Sequence, residues 1–211
     1  MEIRVNPTRM ELNRLKGRLK MAQRGHKLLK DKRDELMRKF LELIRENKEL
    51  RTAVEAKLSR SFANFLLAQA VMSAETMEEA IMFPQARVAL EAQEVNLMSV
   101  RVPRFTRQGQ DDSKGGDVYP YGFANTSAEL DSSIAALAEV LPALIKLAEV
   151  EKAVFLLADE IDKTRRRVNA LEYVLIPQLG GTIKYISMKL DENERGALVR
   201  LMKIKDIVRG E

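Results

Sequence analysis

An apolar stripe with alternating spacings of three and four residues runs from Leu12 to Val54. Only His26, Arg33 and Asn47 are polar among its positions, and such spacing over many turns is the heptad pattern of a coiled coil. A second stripe with the same spacing runs from Val154 to Leu175 and continues less regularly beyond it. Both stripes predict a left-handed supercoil. The predicted seam is represented by Leu29, Leu36, Phe40, Leu43, Leu50, Ile161, Val168, Leu171 and Leu175.

Capping signals and helix breakers divide the chain into three predicted segments. Residues 1–72 form a long helix that starts after Pro7, with Thr8 as its N-cap and Glu11 completing a capping box. Residues 73–126 hold a short helix, from Ser73 to Met82, and a β-hairpin with its loop. Residues 127–211 form a second long helix, preceded by a capping box at Thr126–Glu129 and kinked near residue 142 by a proline.

The hairpin is predicted from a change of period in the middle segment. Residues 94–102 are rich in β-branched side chains and end at Pro103, which predicts the first strand. The polar stretch 106–117 contains three glycines and predicts a flexible tip, and residues 118–123 then supply the second strand.

The layout predicts a mainly α fold: a long antiparallel two-helix coiled coil with a short helical and β-hairpin middle segment. Two long helices at opposite ends of one chain, around a compact reversal, are most economically paired with each other. A parallel homodimer remains an alternative, but it leaves this mirror-like layout unexplained.

Motifs for catalysis are missing from the sequence. There is no cysteine, one histidine (His26) and no phosphate-binding glycine loop, so we expect neither an enzyme nor a cofactor or metal site. No window approaches the roughly 20 apolar residues of a membrane span. The chain is therefore expected to transmit or connect rather than to catalyse, without inserting into a membrane.

Charge is distributed unevenly along the chain. Residues 9–60 carry 17 Lys and Arg against 8 Asp and Glu, residues 61–159 carry 7 against 14, and residues 160–211 carry 11 against 8. Basic ends and an acidic middle predict two different sets of neighbours. A basic rod that faces other proteins is favoured over a nucleic-acid binder, because basic helices with few exposed aromatic side chains supply charge without stacking. The strongest basic clusters are Lys27, Lys30, Lys32, Arg33, Arg165, Arg166 and Arg167.

Two motifs at opposite ends of the chain resemble one known family. Residues 6–10, Leu15–Lys16 and 25–36 are similar to the N-terminal signature of the D subunit of the V-type and archaeal-type rotary ATPases. Residues 163–172 followed by Ile176–Pro177 resemble the same family's C-terminal signature. Residues 96–103 and 121–131 are also similar, so the resemblance spans about residues 3 to 206.

The resemblance implies a non-catalytic central rotor shaft on the cytoplasmic side of a membrane, held there through the ATPase complex. Its paired terminal helices would enter the head of catalytic and nucleotide-binding subunits, where the basic clusters would contact the head. Its middle would hold the F subunit and dock on the funnel-shaped subunit of the membrane rotor ring. The shaft would couple ATP hydrolysis or synthesis to H⁺ or Na⁺ transport. A free-standing basic coiled-coil adaptor or nucleic-acid-binding rod is the alternative.

Overall fold

The computed structural model describes residues 5–83, 88–108, 119–122 and 126–210. In chain order the elements are α1 (Arg9–Val71), α2 (Ala74–Ile81), β1 (Ala89–Leu97), β2 (Val100–Gln108), α3 (Ala128–Asn169), a π-helical turn (Ala170–Leu175) and α4 (Ile176–Arg209). The mainly α fold with a two-stranded antiparallel hairpin confirms the predicted fold class.

The helix starts are set by hydroxyl caps. Thr8 Oγ1 accepts the backbone N–H of Glu11 at 3.3 Å, which is one of the two bonds of the predicted capping box. The Thr8 N–H donates instead to the carbonyl of Asn6 at 2.9 Å. Ser73 caps α2 through its side chain, which accepts the N–H of Thr76. At α3 the cap is Ser127, whose Oγ accepts the N–H of Leu130 at 3.4 Å. The predicted cap, Thr126, lies one residue too early; its hydroxyl instead donates to the carbonyl of Gly122.

The chain separates into two compact units. Unit 1 comprises Met1–Glu35 and Ile161–Glu211, and unit 2 comprises Leu36–Glu160. This division cuts across the three sequence segments, because unit 1 combines the two ends of the chain and unit 2 is the continuous stretch between them.

Unit 1 pairs the start of α1 with α4 in antiparallel orientation. Leu15, Leu179 and Ile186 form its buried core. The ion pair between Arg9 and Glu194 and the contact between His26 and Glu172 give the direction, since the numbers on one helix rise as those on the other fall. Partly buried apolar side chains surround this core: Val5, Leu12, Leu19, Ala22, Ile183 and Leu190.

Unit 2 pairs the remainder of α1 with α3, also in antiparallel orientation. Glu46 bonds Lys146 at 3.1 Å, and further along α1 Ser61 bonds Ser133. Near the end of α1 a second core joins three elements, because Ala68 of α1, Leu130 of α3 and two residues of α2 are buried together. The α2 residues are Met77 and Ala80. Helix α3 continues through Pro142 without a break.

The hairpin turns earlier than predicted. Strands β1 and β2 pair in register from Ala89↔Gln108 to Leu97↔Val100, so the turn is formed by Met98 and Ser99. Both have positive φ, 53° and 74°, which fits the two-residue type I′ turn that matches strand twist. The expected second strand at 118–123 was wrong: 119–122 is not strand, and 118 and 123 lie outside the described residues. Of the predicted tip, Thr106–Gln108 belongs to β2, and 109–117 lies outside the described residues.

Candidate partner-binding surfaces

The predicted basic cluster on α1 is divided between exposed and engaged side chains. Lys27 and Lys30 are exposed, and within the described part of the chain neither has an ion-pair partner. Lys32 and Arg33 are partly buried, and the Arg33 guanidinium bonds the Asp34 carboxylate with an Nη2–Oδ1 distance of 2.8 Å. The cluster therefore offers mainly Lys27 and Lys30 to a partner.

The arginine triplet at the end of α3 is exposed but partly neutralised by its own helix. Arg165 and Arg166 both bond the Asp162 carboxylate, at 2.8 and 2.7 Å. Arg167 has no ion-pair partner within the described ranges. One carboxylate among three guanidinium groups leaves a local excess of positive charge, and such exposed pairs are worth only about 0–1 kcal/mol each, so a partner can replace them.

The predicted seam residues are placed as follows. Leu36 is fully buried, and Ile161 and Val168 are buried as well. Leu175 is 36% exposed, so this position departs from the seam. The other predicted seam residues are partly buried: Leu29, Phe40, Leu43, Leu50 and Leu171.

The last part of α4 exposes apolar side chains on all sides. Beyond residue 196, every described residue of the chain is exposed. At 100° per residue, seven apolar side chains within eleven residues are spread around the helix axis, with four charged residues between them. Apolar side chains on every side of a helix normally have neighbours that cover them. The set is Leu198, Val199, Leu201, Met202, Ile204, Ile207 and Val208, with exposures of 55–70%. We call it the apolar end of α4.

Sequence reasoning missed this surface, because it sought partner contacts in charge clusters. The available signal was the apolar content of residues 197–208, which extends beyond the three-and-four positions to Leu198, Val199, Met202 and Ile207. An apolar region wider than one stripe cannot be covered by one neighbouring helix. It therefore indicates an enclosing partner.

Unit 2 carries a second exposed apolar surface, where α1 ends and α2 follows. It borders a groove lined by Phe65, Met77 and Ile81, with the carboxylate of Glu78 at its rim. Large exposed apolar side chains concentrated in one short segment are a candidate interaction site. The exposed members are Phe62, Leu66, Leu67, Val71, Met82 and Phe83, at 56–74% exposure. We call this set the α1–α2 patch.

The hairpin packs against the paired helices of unit 2 by one face. Val95 and Val102 form a cross-strand pair, and their side chains share a cavity with Leu43, Val150 and Ala153. Val95 is nevertheless 45% exposed, and Leu97 is the one residue of β1 that is partly buried. The hairpin is thus anchored near its turn, while most of β1 remains accessible.

No helix in the described ranges combines the length and the apolar character needed to cross a membrane.

Each unit is an antiparallel pair of helices, and its described residues expose apolar and basic side chains of the kind found on proteins that assemble with partners. A family profile for the D subunit of ATP synthase matches residues 11–206. The chain belongs to this family, which confirms the resemblance drawn from its terminal motifs.

Curated relatives match over nearly the full chain. The V-type ATP synthase D subunit of Acetivibrio thermocellus is 61% identical over 208 residues, covering 98% of this chain and 92% of the relative. Proteins of the same name from Clostridium novyi and Thermoanaerobacter sp. are 59% and 60% identical. Each of these two alignments covers at least 98% of this chain and 97% of the relative.

Proposed function

We propose that this chain is the central shaft of a V-type ATP synthase, transmitting torque between ATP turnover in the head and ion transport in the membrane ring. The observation that carries the proposal is the apolar end of α4, which needs an enclosing partner. Membership of the D-subunit family favours this role over a free-standing adaptor or nucleic-acid-binding rod.

In this proposal unit 1 faces the head of catalytic and nucleotide-binding subunits. The subunits of the head surround the apolar end of α4. Lys27, Lys30 and the arginine triplet contact the head electrostatically. Exposed charges attract a partner weakly and are screened over about 8–10 Å at physiological salt. Contacts of that strength can be exchanged as the shaft turns, whereas the apolar end supplies the lasting attachment.

Unit 2 carries the contacts with the other rotor components in this proposal. The α1–α2 patch binds the funnel-shaped subunit of the membrane ring, and the hairpin with the acidic segment that follows it holds the F subunit. The chain itself is non-catalytic and lies on the cytoplasmic side of the membrane, attached only through the complex.

Two matched variants of the whole complex test the assignment of surfaces. Leu201→Gln, Ile204→Gln and Ile207→Gln together make the apolar end polar, while glutamine keeps high helix propensity. Because these side chains are exposed, the isolated chain should unfold at an unchanged urea concentration, yet pull-down with a tagged catalytic subunit should recover far less of it. ATP-driven ion uptake into vesicles should fall in parallel.

The matched control places the same kind of change on the other surface. Phe62→Gln, Leu66→Gln and Phe83→Gln should keep the head bound and lose the membrane ring. Normal assembly and pumping by the apolar-end variant would overturn the proposed head contact. Loss of the head from both variants would show that the surfaces have been wrongly assigned.

The arginine triplet is tested by charge reversal. Arg165→Glu, Arg166→Glu and Arg167→Glu together should weaken head assembly or slow coupled turnover, with little change in the stability of the isolated chain. Arg101→Glu, Arg104→Glu and Arg107→Glu on the hairpin make the same charge change outside unit 1. They are a control for head assembly alone, which should be unchanged because the hairpin is assigned to the F subunit. Equal activity of the triplet variant and the parent would assign Arg165–Arg167 to a solvated face only.

A further inference from the structure

The π-helical turn Ala170–Leu175 in unit 1 changes the spacing of the apolar stripe. Before the turn the stripe steps by three and four residues, through Ile161, Thr164, Val168 and Leu171. After it the same alternation resumes, but one residue later. The later positions are Ile176, Leu179, Ile183, Ile186 and Leu190, all buried or partly buried.

The step across the turn is therefore five residues, from Leu171 to Ile176. An unbroken α-helix would have continued through Leu175, which is instead 36% exposed. The backbone shows the same surplus, because the N–H of Ile176 donates to the carbonyl of Leu171, five residues back. One residue more than an α-helix needs is thus held within this turn.

Local chemistry favours this position for the surplus residue. Pro177 has no N–H, and in an α-helix its ring would clash with the carbonyl of Tyr173. A widened turn just before the proline avoids that clash. Across from the turn, His26 Nε2 lies 3.3 Å from Glu172 Oε2, which ties the turn to α1.

We propose that the π-helical turn is a register joint: it stores one surplus residue so that the stripe of α4 stays on α1, and the contact between His26 and Glu172 holds that residue in place. Without the joint, α4 would be turned by about 100° about its axis. Leu179 and Ile186, which are 2% and 0% exposed, would then leave the core of unit 1.

Single-residue deletions in the full chain should differ in their effect on stability, depending on whether they fall inside or outside the π-helical turn. Deleting Tyr173, which is 71% exposed, removes the surplus and leaves an α-helix with an unbroken stripe. All variants are made with Pro177→Ala, so that an α-helix is possible at this point. Relative to Pro177→Ala alone, deletion of Tyr173 should leave the urea midpoint and helical content unchanged or raised.

Deletion of Lys184 in the same background is the matched control. This exposed residue lies between Ile183 and Ile186, outside the joint, so its loss turns the helix that follows. Removing one large aliphatic side chain from a core costs enough to lower the folded-to-unfolded ratio at least about thirtyfold, and we expect a loss of that size. Equal destabilisation by both deletions, or by neither, would overturn the register joint.

The holding contact is tested separately by amide hydrogen exchange. His26→Gln should speed exchange at residues 170–176 by up to about fivefold, the range for a partly exposed pair. Lys30→Gln, on an exposed residue one turn along α1, should leave that exchange unchanged. Equal exchange in His26→Gln and the parent would refute the role of His26, whatever the deletions show.

Discussion

A reciprocal pair of buried hydrogen bonds joins α1 and α3 in unit 2, and its contribution to stability can be predicted. The Ser61 hydroxyl donates to the carbonyl of Ser133, and the Ser133 hydroxyl donates to the carbonyl of Ser61, each at 3.0 Å. Both side chains are 0% exposed. Each carbonyl also lies within a helix, where the next turn supplies a backbone N–H. Removing a hydroxyl therefore loses one bond without leaving a buried carbonyl unpaired.

The expected magnitude follows from that geometry. One intramolecular hydrogen bond has a net worth of about 0.5–1.5 kcal/mol, so Ser61→Ala and Ser133→Ala should each lower the free energy of unfolding by about 1 kcal/mol. Each variant leaves the other serine's bond intact, so the double variant should lose about 2 kcal/mol. Urea unfolding followed by far-UV circular dichroism measures all three values.

The neighbouring Ser132 is a close control. It is exposed, and its hydroxyl donates to the carbonyl of Ala128 in its own helix at 2.9 Å. Ser132→Ala should therefore change the free energy of unfolding by less than about 0.5 kcal/mol. The reasoning fails if the buried variants behave like this control. It also fails if either single variant loses the full 2 kcal/mol, which would mean that the two bonds act only as a unit.

Two further predictions concern unit 2. Burial and the hydrogen bond to Asp131 raise the pKa of Tyr121 above its ordinary value of 10.0. The neutral phenol therefore stabilises the folded state fully below about pH 10, and this contribution to the free energy of unfolding is lost as the pH rises toward the folded-state pKa. The urea midpoint should thus fall between pH 9 and pH 11 more in the parent than in Tyr121→Phe; equal falls would contradict this. In the hairpin, Ser99→Gly should raise stability by about 0.5–1 kcal/mol, because glycine tolerates positive φ. Asn96→Ala should lower stability through loss of its 2.9 Å bond to the Ser99 N–H; thermal unfolding that moves both variants in the same direction would refute this account of the turn.

The helices were predictable from the sequence because their signals are local and repeated. Thr8 and Glu11 mark the start of α1, and the apolar stripes mark which faces pair. The presence of a β-hairpin was predictable, but the position of its turn and of its second strand was not. Its turn uses Met98 and Ser99 rather than glycine, so the glycine-rich stretch that follows drew the prediction away from the true turn.

The π-helical turn was harder to predict, because it adds one residue and no new residue type. Its trace in the sequence is the loss of three-residue steps after Leu171, which continues to Leu175, Leu179 and Ile183 in steps of four. Spacing alone does not say whether such a drift is spread along the helix or taken up at one point. Pro177 and the contact of Glu172 with His26 supply the reason for a single point.

The candidate contact surfaces differ in how far sequence could reveal them. A charge cluster such as Arg165–Arg167 is visible at once, but the structure shows that Asp162 already engages two of its guanidinium groups. A search for charge clusters and motifs does not find the apolar end of α4. Its exposed apolar side chains nevertheless gain more from being covered by a partner than exposed arginines do. Water is a poor environment for seven large apolar side chains, whereas exposed arginines are well solvated. For that reason attachment in the proposed shaft is assigned to the apolar end of α4, and the arginines are assigned a weaker contact that can be exchanged.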